Sequence, residues 1–143
     1  MNIAIRRIQR GFSLTELMVV MIIVGVLAAI GMPAYRDYAM RAKRSDATQA
    51  LSHMAALQER FFSDNNSYAA NATALGYGSN TPASNEGYWQ LSVQSGTAAA
   101  FELRATNLAP HVDPECTTFS VTSAGVQGLV AGTSTAEACW GGR

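Results

Sequence analysis

The chain has 143 residues, 48% of them hydrophobic and 14% charged, with a formal net charge of zero at pH 7. That length leaves room for one modest domain beside a hydrophobic segment and excludes two folded domains. The zero balance conceals an asymmetry that weighs against strong phosphate binding by the C-terminal part: without Arg6, Arg7 and Arg10, seven basic residues face ten acidic ones.

Residues 1–11 are short and basic. Their three arginines orient the segment that follows by the positive-inside tendency, which leaves the rest of the chain outside the cytoplasm. From Leu17 to Tyr35 there is no charge, and at about 1.5 Å of rise per residue this run crosses most of a ~30 Å hydrocarbon core. A usual secretory signal ends its apolar region in a small-residue cleavage site. Here Gly11 stands before the run, and no Ala-x-Ala follows the run ahead of Pro33. Cleavage at Gly11 would leave the hydrophobic helix in the mature protein as an anchor.

Glu16 is the anomaly of this segment. A carboxylate one turn inside an apolar helix costs about 2.5–3.5 kcal/mol near a membrane centre and less near its edge. No basic residue lies within several positions downstream, so the expected partner is the headgroup region, the leader or another molecule. The alternative is a helix-start acid favoured by the macrodipole, snorkelling to the interface. Gly25, Gly31 and Pro33 punctuate the same helix. In an exposed helix interior Gly costs about 1 kcal/mol and Pro about 3 kcal/mol relative to Ala, and Pro33 cannot donate to the carbonyl of Ala29. A helix bend is expected at Gly25, Gly31 and Pro33.

After Tyr35 charges appear at Arg36, Asp37, Arg41, Lys43, Arg44 and Asp46, yet a helical period persists. Met40, Ala47, Leu51, Met54 and Phe61 fall near one face, flanked by Ala50 and Leu57. Arg41, Ser45, Gln49, Ser52, Glu59 and Ser63 fall opposite. One helix from Ser13 to about Asp64 is expected, ended by Asp64-Asn65-Asn66-Ser67, since Asn tolerates the left-handed conformation of helix ends. Arg41, Lys43 and Arg44 form a basic cluster suited to lipid headgroups or to acidic residues of a neighbouring subunit.

The stretch from Asn66 to Gly87 reads as a long connection. Trp89, Leu91 and Val93, then Phe101, Leu103 and Ala105, alternate as two strands with Ser95-Gly96-Thr97 in the turn. Thr118 to Thr122 and Val126 to Val130, separated by Ser123-Ala124-Gly125, form a second hairpin. The expected fold is α+β: a long N-terminal α-helix, half transmembrane and half amphipathic, packed on a four-stranded antiparallel β-sheet. The divisions are a leader at 1–11, a hydrophobic helix at 12–35 and a head at 36–143. Cys116 and Cys139 both fall in the exported part, where an even cysteine count reads as a disulfide. The alternative is a pair of buried free thiols. A disulfide would staple the tail from Thr133 to Trp140 to the sheet.

The run Gly11-Phe12-Ser13-Leu14-Thr15-Glu16-Leu17, followed by apolar residues to Ile30 and then Pro33-Ala34-Tyr35, closely resembles the class III signal of type IV pilins and related pseudopilins. A Gly followed by Phe, a Glu five residues past the Gly, a basic leader and a long uncharged run are independent conditions met together. The resemblance implies that a prepilin peptidase cuts between Gly11 and Phe12 and N-methylates the new Phe12 amine. It also implies that Glu16 of an incoming subunit pairs with the Phe12 ammonium of a neighbour, and that the helix bends where Gly25, Gly31 and Pro33 lie. A looser likeness extends through Glu59-Arg60-Phe61-Phe62, Asn66-Ser67-Tyr68, Tyr88-Trp89, Cys116 and Cys139-Trp140, and is similar to PilE-type minor pilins and the related competence pilin. The implied function is a structural subunit, a minor pilin, of a type IV pilus that serves biogenesis, adhesion or twitching motility. A DNA-binding competence pilin and a type II secretion pseudopilin are the alternatives. The implied partners are major and minor pilin subunits, the prepilin peptidase, the inner-membrane assembly machinery and, before assembly, membrane lipid; the acidic head disfavours nucleic acid. The implied location is the inner membrane with a periplasmic head, then an extracellular pilus.

No catalytic or cofactor constellation is evident, and no enzyme is expected. His53 and His111 lack metal-ligand spacing to Cys, Asp or Glu on a shared element. Asp113 and Glu115 beside His111 are at most a weak oxygen site. Phe61, Phe62 and Trp89 are expected in the core, not as ligand stackers.

Overall fold

The computed structural model describes residues 11–141; the arginines of the leader, Arg6, Arg7 and Arg10, lie outside the described residues. The elements are α1 (Leu14–Asn65), a 3-10 turn (Thr73–Leu75), β1 (Trp89–Gly96), β2 (Phe101–Asn107), β3 (Thr118–Thr122), β4 (Gln127–Ala131) and α2 (Ala136–Cys139). The chain parts into two compact units, one ending at Asp37 and the other beginning at Tyr38.

In the first unit every residue from 11 to 37 is exposed, including Ile22 at 64% and Ile30 at 70%. α1 is long and apolar enough here to cross a membrane. It runs unbroken through Gly25, Gly31 and Pro33. Pro33 removes a single backbone donor, and the helical bonds on either side carry the helix past it.

In the second unit α1 covers one face of an antiparallel sheet with the order β1-β2-β3-β4. Ala47, Ala50, Leu51 and Met54 recur at helical spacing and are buried. They share one core with Trp89 and Leu91 of β1, Phe101, Leu103 and Ala105 of β2, and Phe119 and Val121 of β3. Those strand residues alternate with polar ones, the period-two pattern of a sheet with one face covered. The expected stripe and hairpins are therefore present. Phe119 packs edge-on against Trp89, with ring centroids 5.0 Å apart. Trp89 is fully buried, while Phe61 and Phe62 are only half-buried; Phe62 stacks on Tyr68, which meets Phe101 edge-on.

Two boundaries shift from expectation. The first hairpin turns over residues 97–100, because Thr97 N–H donates to the Ala100 carbonyl at 2.9 Å and its Oγ1 accepts from the N–H groups of Ala99 and Ala100. Gly96 thus stays in β1, where a Cβ would collide with the Ala69 carbonyl. Only glycine permits so close a crossing. The last strand begins at Gln127 instead of Val126. α1 ends as expected, with Asn66 in the left-handed region at φ 52 and its N–H on the Phe62 carbonyl at 2.8 Å.

Candidate assembly site and the fastening of the head

The start of α1 is closed by a reciprocal pair. Glu16 N–H donates to Ser13 Oγ at 3.2 Å, and Ser13 N–H donates to Glu16 Oε2 at 3.4 Å. Ser13-x-x-Glu16 is a capping box, which satisfies donors left open in the first helical turn. The carboxylate is thus occupied within its own chain, a role the sequence reading of Glu16 as a charge awaiting an outside partner did not include. An outside partner is compatible with the cap, which engages Oε2; among the described residues Oε1 accepts no bond. Phe12 beside it is 79% exposed, and Gly11 precedes it, also exposed. At Gly25 and Gly31 an added Cβ would meet nothing within 4 Å, in keeping with the exposure of residues 11–37.

The head is fastened to its helix by buried polar contacts. Arg44 forks onto Asp113, with Nε to Oδ2 at 2.6 Å and Nη2 to Oδ1 at 3.0 Å, and reaches Glu115 Oε2 at 2.7 Å. Asp113 is 1% exposed, and its Oδ1 also accepts from Glu115 N–H at 3.1 Å and Cys116 N–H at 3.2 Å. Burial by itself pushes the Asp113 carboxyl up, but the Arg44 fork and the two backbone donors outweigh it and hold the group below its ordinary range. The same bond to Asp113 raises Arg44, against the opposing effect of burial. Arg44 therefore leaves the basic cluster expected near the membrane. Lys43 lies over the Tyr88 ring, 4.8 Å from its centroid, and Arg41 is exposed. The cluster separates because successive helical positions point about 100° apart.

Asp46 and Gln58 are the other buried polar groups of α1. Asp46 accepts from Ser84 Oγ at 2.6 Å and Glu86 N–H at 3.3 Å, while Ser84 Oγ accepts from Trp89 N–H. Trp89 Nε1 returns to the helix, donating to the Lys43 carbonyl at 2.7 Å. Gln58 bonds both backbone groups of Ala69, donating to its carbonyl at 2.9 Å and accepting from its N–H at 2.8 Å. These contacts tie the long 66–88 connection to the helix.

Cys116 and Cys139 form a disulfide with Cα atoms 5.8 Å apart. The strand-end segment beyond β4 joins the same region: Thr133 and Ser134 donate to the carbonyls of Pro114 and Glu115, and a Cβ on Gly132 would strike the Glu115 carbonyl. Trp140 Nε1 donates to the Gly128 carbonyl at 2.9 Å on β4. His111, which the sequence places in a loop, is 7% exposed and lies edge-on to Tyr88 and Trp89. Asp113 and Glu115 turn to Arg44 and do not form an oxygen site with it. His53 remains exposed, with Nδ1 3.3 Å from the Tyr77 hydroxyl. Among the described residues no group of three or more His, Cys, Asp or Glu is placed to hold a metal ion.

Comparison with known proteins matches two family models. Residues 6–32 match the prokaryotic N-terminal methylation motif, and residues 33–120 match the family described as type IV minor pilin ComP, DNA uptake sequence receptor. A fimbrial protein of Neisseria meningitidis is 33% identical over 93 residues, 65% of this chain and 55% of that protein. Fimbrial protein EcpC of Eikenella corrodens is 38% identical over 72 residues, 50% of this chain and 47% of the relative. The chain thus spans about half the length of the curated relatives it matches. A solved type IV pilin from Shewanella oneidensis is 27% identical, with 61% of this chain and 88% of that one aligned at a TM-score of 0.43. Since residues 33–120 make up more than half of the chain, it belongs to the family that this second model describes, within the type IV pilins.

Proposed function

We propose that the chain is a filament subunit that waits in the inner membrane through residues 12–35 and then joins a type IV pilus through the same residues. The observation that carries this reading is the apolar, wholly exposed first half of α1. Such a surface is stable in hydrocarbon or against other helices, and not in water. A prepilin peptidase would remove residues 1–11, freeing and N-methylating the Phe12 amine. In low-dielectric surroundings that ammonium and a neighbour's Glu16 attract strongly, and either one alone is costly to desolvate. Repeated head-to-tail contacts of this kind generate an open filament. A bend at Gly25, Gly31 and Pro33 would let the helix adjust as subunits pack. The head, residues 36–143, would face the periplasm before assembly and the outside afterwards, with major and minor pilins and the assembly machinery as partners. We assign it to the minor class because the matching family is so described. Tagged full-length chain should appear in the sheared filament fraction at a small share of total pilin. Retention in the membrane of piliated cells would contradict the reading.

The description of the matching family favours a second reading, capture of DNA by the head. Its charge weighs the other way. Arg44 is paired with Asp113 and Glu115, and Arg104 with Glu102 at 2.8 Å, which takes two of the seven basic residues of 36–143 away from phosphates. A low-salt gel shift with the full chain in detergent separates the readings, since retarded DNA supports capture and unretarded DNA removes it.

A further inference from the structure

His111 takes no part in the polar contacts that fasten the head to α1. Its imidazole is enclosed by aromatic edges, with ring centroids 5.4 Å from Tyr88 and 5.2 Å from Trp89, and the backbone N–H of His111 donates to the Leu108 carbonyl at 2.9 Å. Among the described residues Nε2 is buried without a hydrogen-bond partner; Asn107 Oδ1 is likewise buried and unpartnered there, so the two do not bond each other. A neutral ring tolerates this, because it can carry its proton on Nδ1 and leave Nε2 a bare acceptor. An imidazolium cannot. It must place a charged N–H donor at a buried atom with no acceptor.

The surrounding charges push the same way. On the α1 side are Lys43, whose Nζ lies 4.8 Å from the centroid of the Tyr88 ring, and Arg44. On the loop side is Asp113, which Arg44 already occupies through both carboxylate oxygens. From the segment entering β1 come Tyr88 and Trp89, which are uncharged at neutral pH. A third cation would have to share the carboxylates of Asp113 and Glu115, both already engaged by Arg44. Burial first, and then Lys43, keep His111 below its ordinary value of about 6.5, with Asp113 opposing.

We propose that His111 is a proton-operated latch on the head: neutral, it closes residues 108–112 over Tyr88 and Trp89; as an imidazolium it leaves that slot and the segment opens. The disulfide at Cys116 and the Arg44 fork at Asp113 bound the segment on its C-terminal side, so the opening is local and reversible. The latch is a property of the folded head and stands whether or not the chain enters a filament. For a group with a depressed folded pKa, closure is complete above the open-state value near 6.5. It weakens as pH falls from there towards the folded value, by up to about tenfold per pH unit within that window.

The test uses the full chain in detergent micelles with Trp140→Phe, so that Trp89 is the only indole. Between pH 7.5 and 5.0, Trp89 emission should shift to the red, and amide exchange over residues 108–112 should accelerate by about tenfold beyond its intrinsic pH dependence. His111→Gln and His111→Phe should each abolish both changes, and His53→Gln should abolish neither. An emission and exchange profile in the unsubstituted His111 chain that is flat across this range overturns the latch, even if neither His111 variant folds. Persistence of the change in a folded His111 variant overturns it as well.

Discussion

The two halves of α1 are one element with opposite circumstances. Residues 14–37 are the more apolar and bury nothing, whereas the half from Tyr38 onward is mixed in character and buries Asp46, Ala47, Ala50, Leu51, Met54 and Gln58. If composition alone set burial, the order would be reversed. The difference teaches that the second half is specified by partners in its own chain, down to paired polar groups. The first half is specified for surroundings supplied from outside. The capping box of Ser13 and Glu16 closes its helix end without covering any of its apolar surface.

Variants should break that contrast unequally. The largest effect belongs to Arg44→Ala, which strands the buried Asp113 carboxylate; removing one partner of such a pair costs about 3–5 kcal/mol, read as a lower denaturation midpoint of the head, with membrane insertion of residues 14–37 unchanged. Replacing Cys116 and Cys139 together by Ser should cost about 3 kcal/mol through the lost constraint on the unfolded chain, measured by the same unfolding experiment. Gln58→Ala leaves both backbone groups of Ala69 without their partner and should cost about 1–3 kcal/mol. Acid should act through Asp113 as well. Its folded pKa lies below the ordinary value, so its stabilisation is present above about pH 3.9 and is lost as pH falls through the folded pKa. Asp113→Asn should flatten the acid limb of a stability profile below about pH 4.

Much of this arrangement is legible in the residues. The 3.6-residue stripe from Met40 to Phe61 and the alternation of Trp89, Leu91 and Val93 with Phe101, Leu103 and Ala105 specify helix and sheet because periodicity is local. The cysteines meet, as their even number suggests for a head expected to be exported. What the sequence hides are the polar partners of α1 chosen across distance: Arg44 with Asp113, Asp46 with Ser84, Gln58 with Ala69. A charged or amide residue on a helix reads as solvated unless its distant partner is known. His111 is hidden for the same reason, since neither Tyr88 nor Trp89 is near it in sequence. Glu16 differs. Its local role is a pattern of adjacent residues, Ser13-x-x-Glu16, which an account of Glu16 as a membrane charge passes over.

The capping box, together with the proposed pairing to a neighbour's Phe12, makes Glu16 the place to test whether the exposed half of α1 is an assembly surface. The measurement is the amount of Ser13→Ala and Glu16→Ala chain recovered in sheared filaments, each normalised to the amount processed at Gly11 and held in the membrane. Each variant removes one partner of the capping box, an effect of about 1 kcal/mol on helix stability, so a purely local role predicts equal recovery. If Glu16 also pairs with a neighbour's Phe12, Ser13→Ala should be incorporated almost normally and Glu16→Ala should fall at least about tenfold, the equivalent of roughly 1.4 kcal/mol. Equal recovery of the two variants, or normal incorporation of Glu16→Ala, would contradict it.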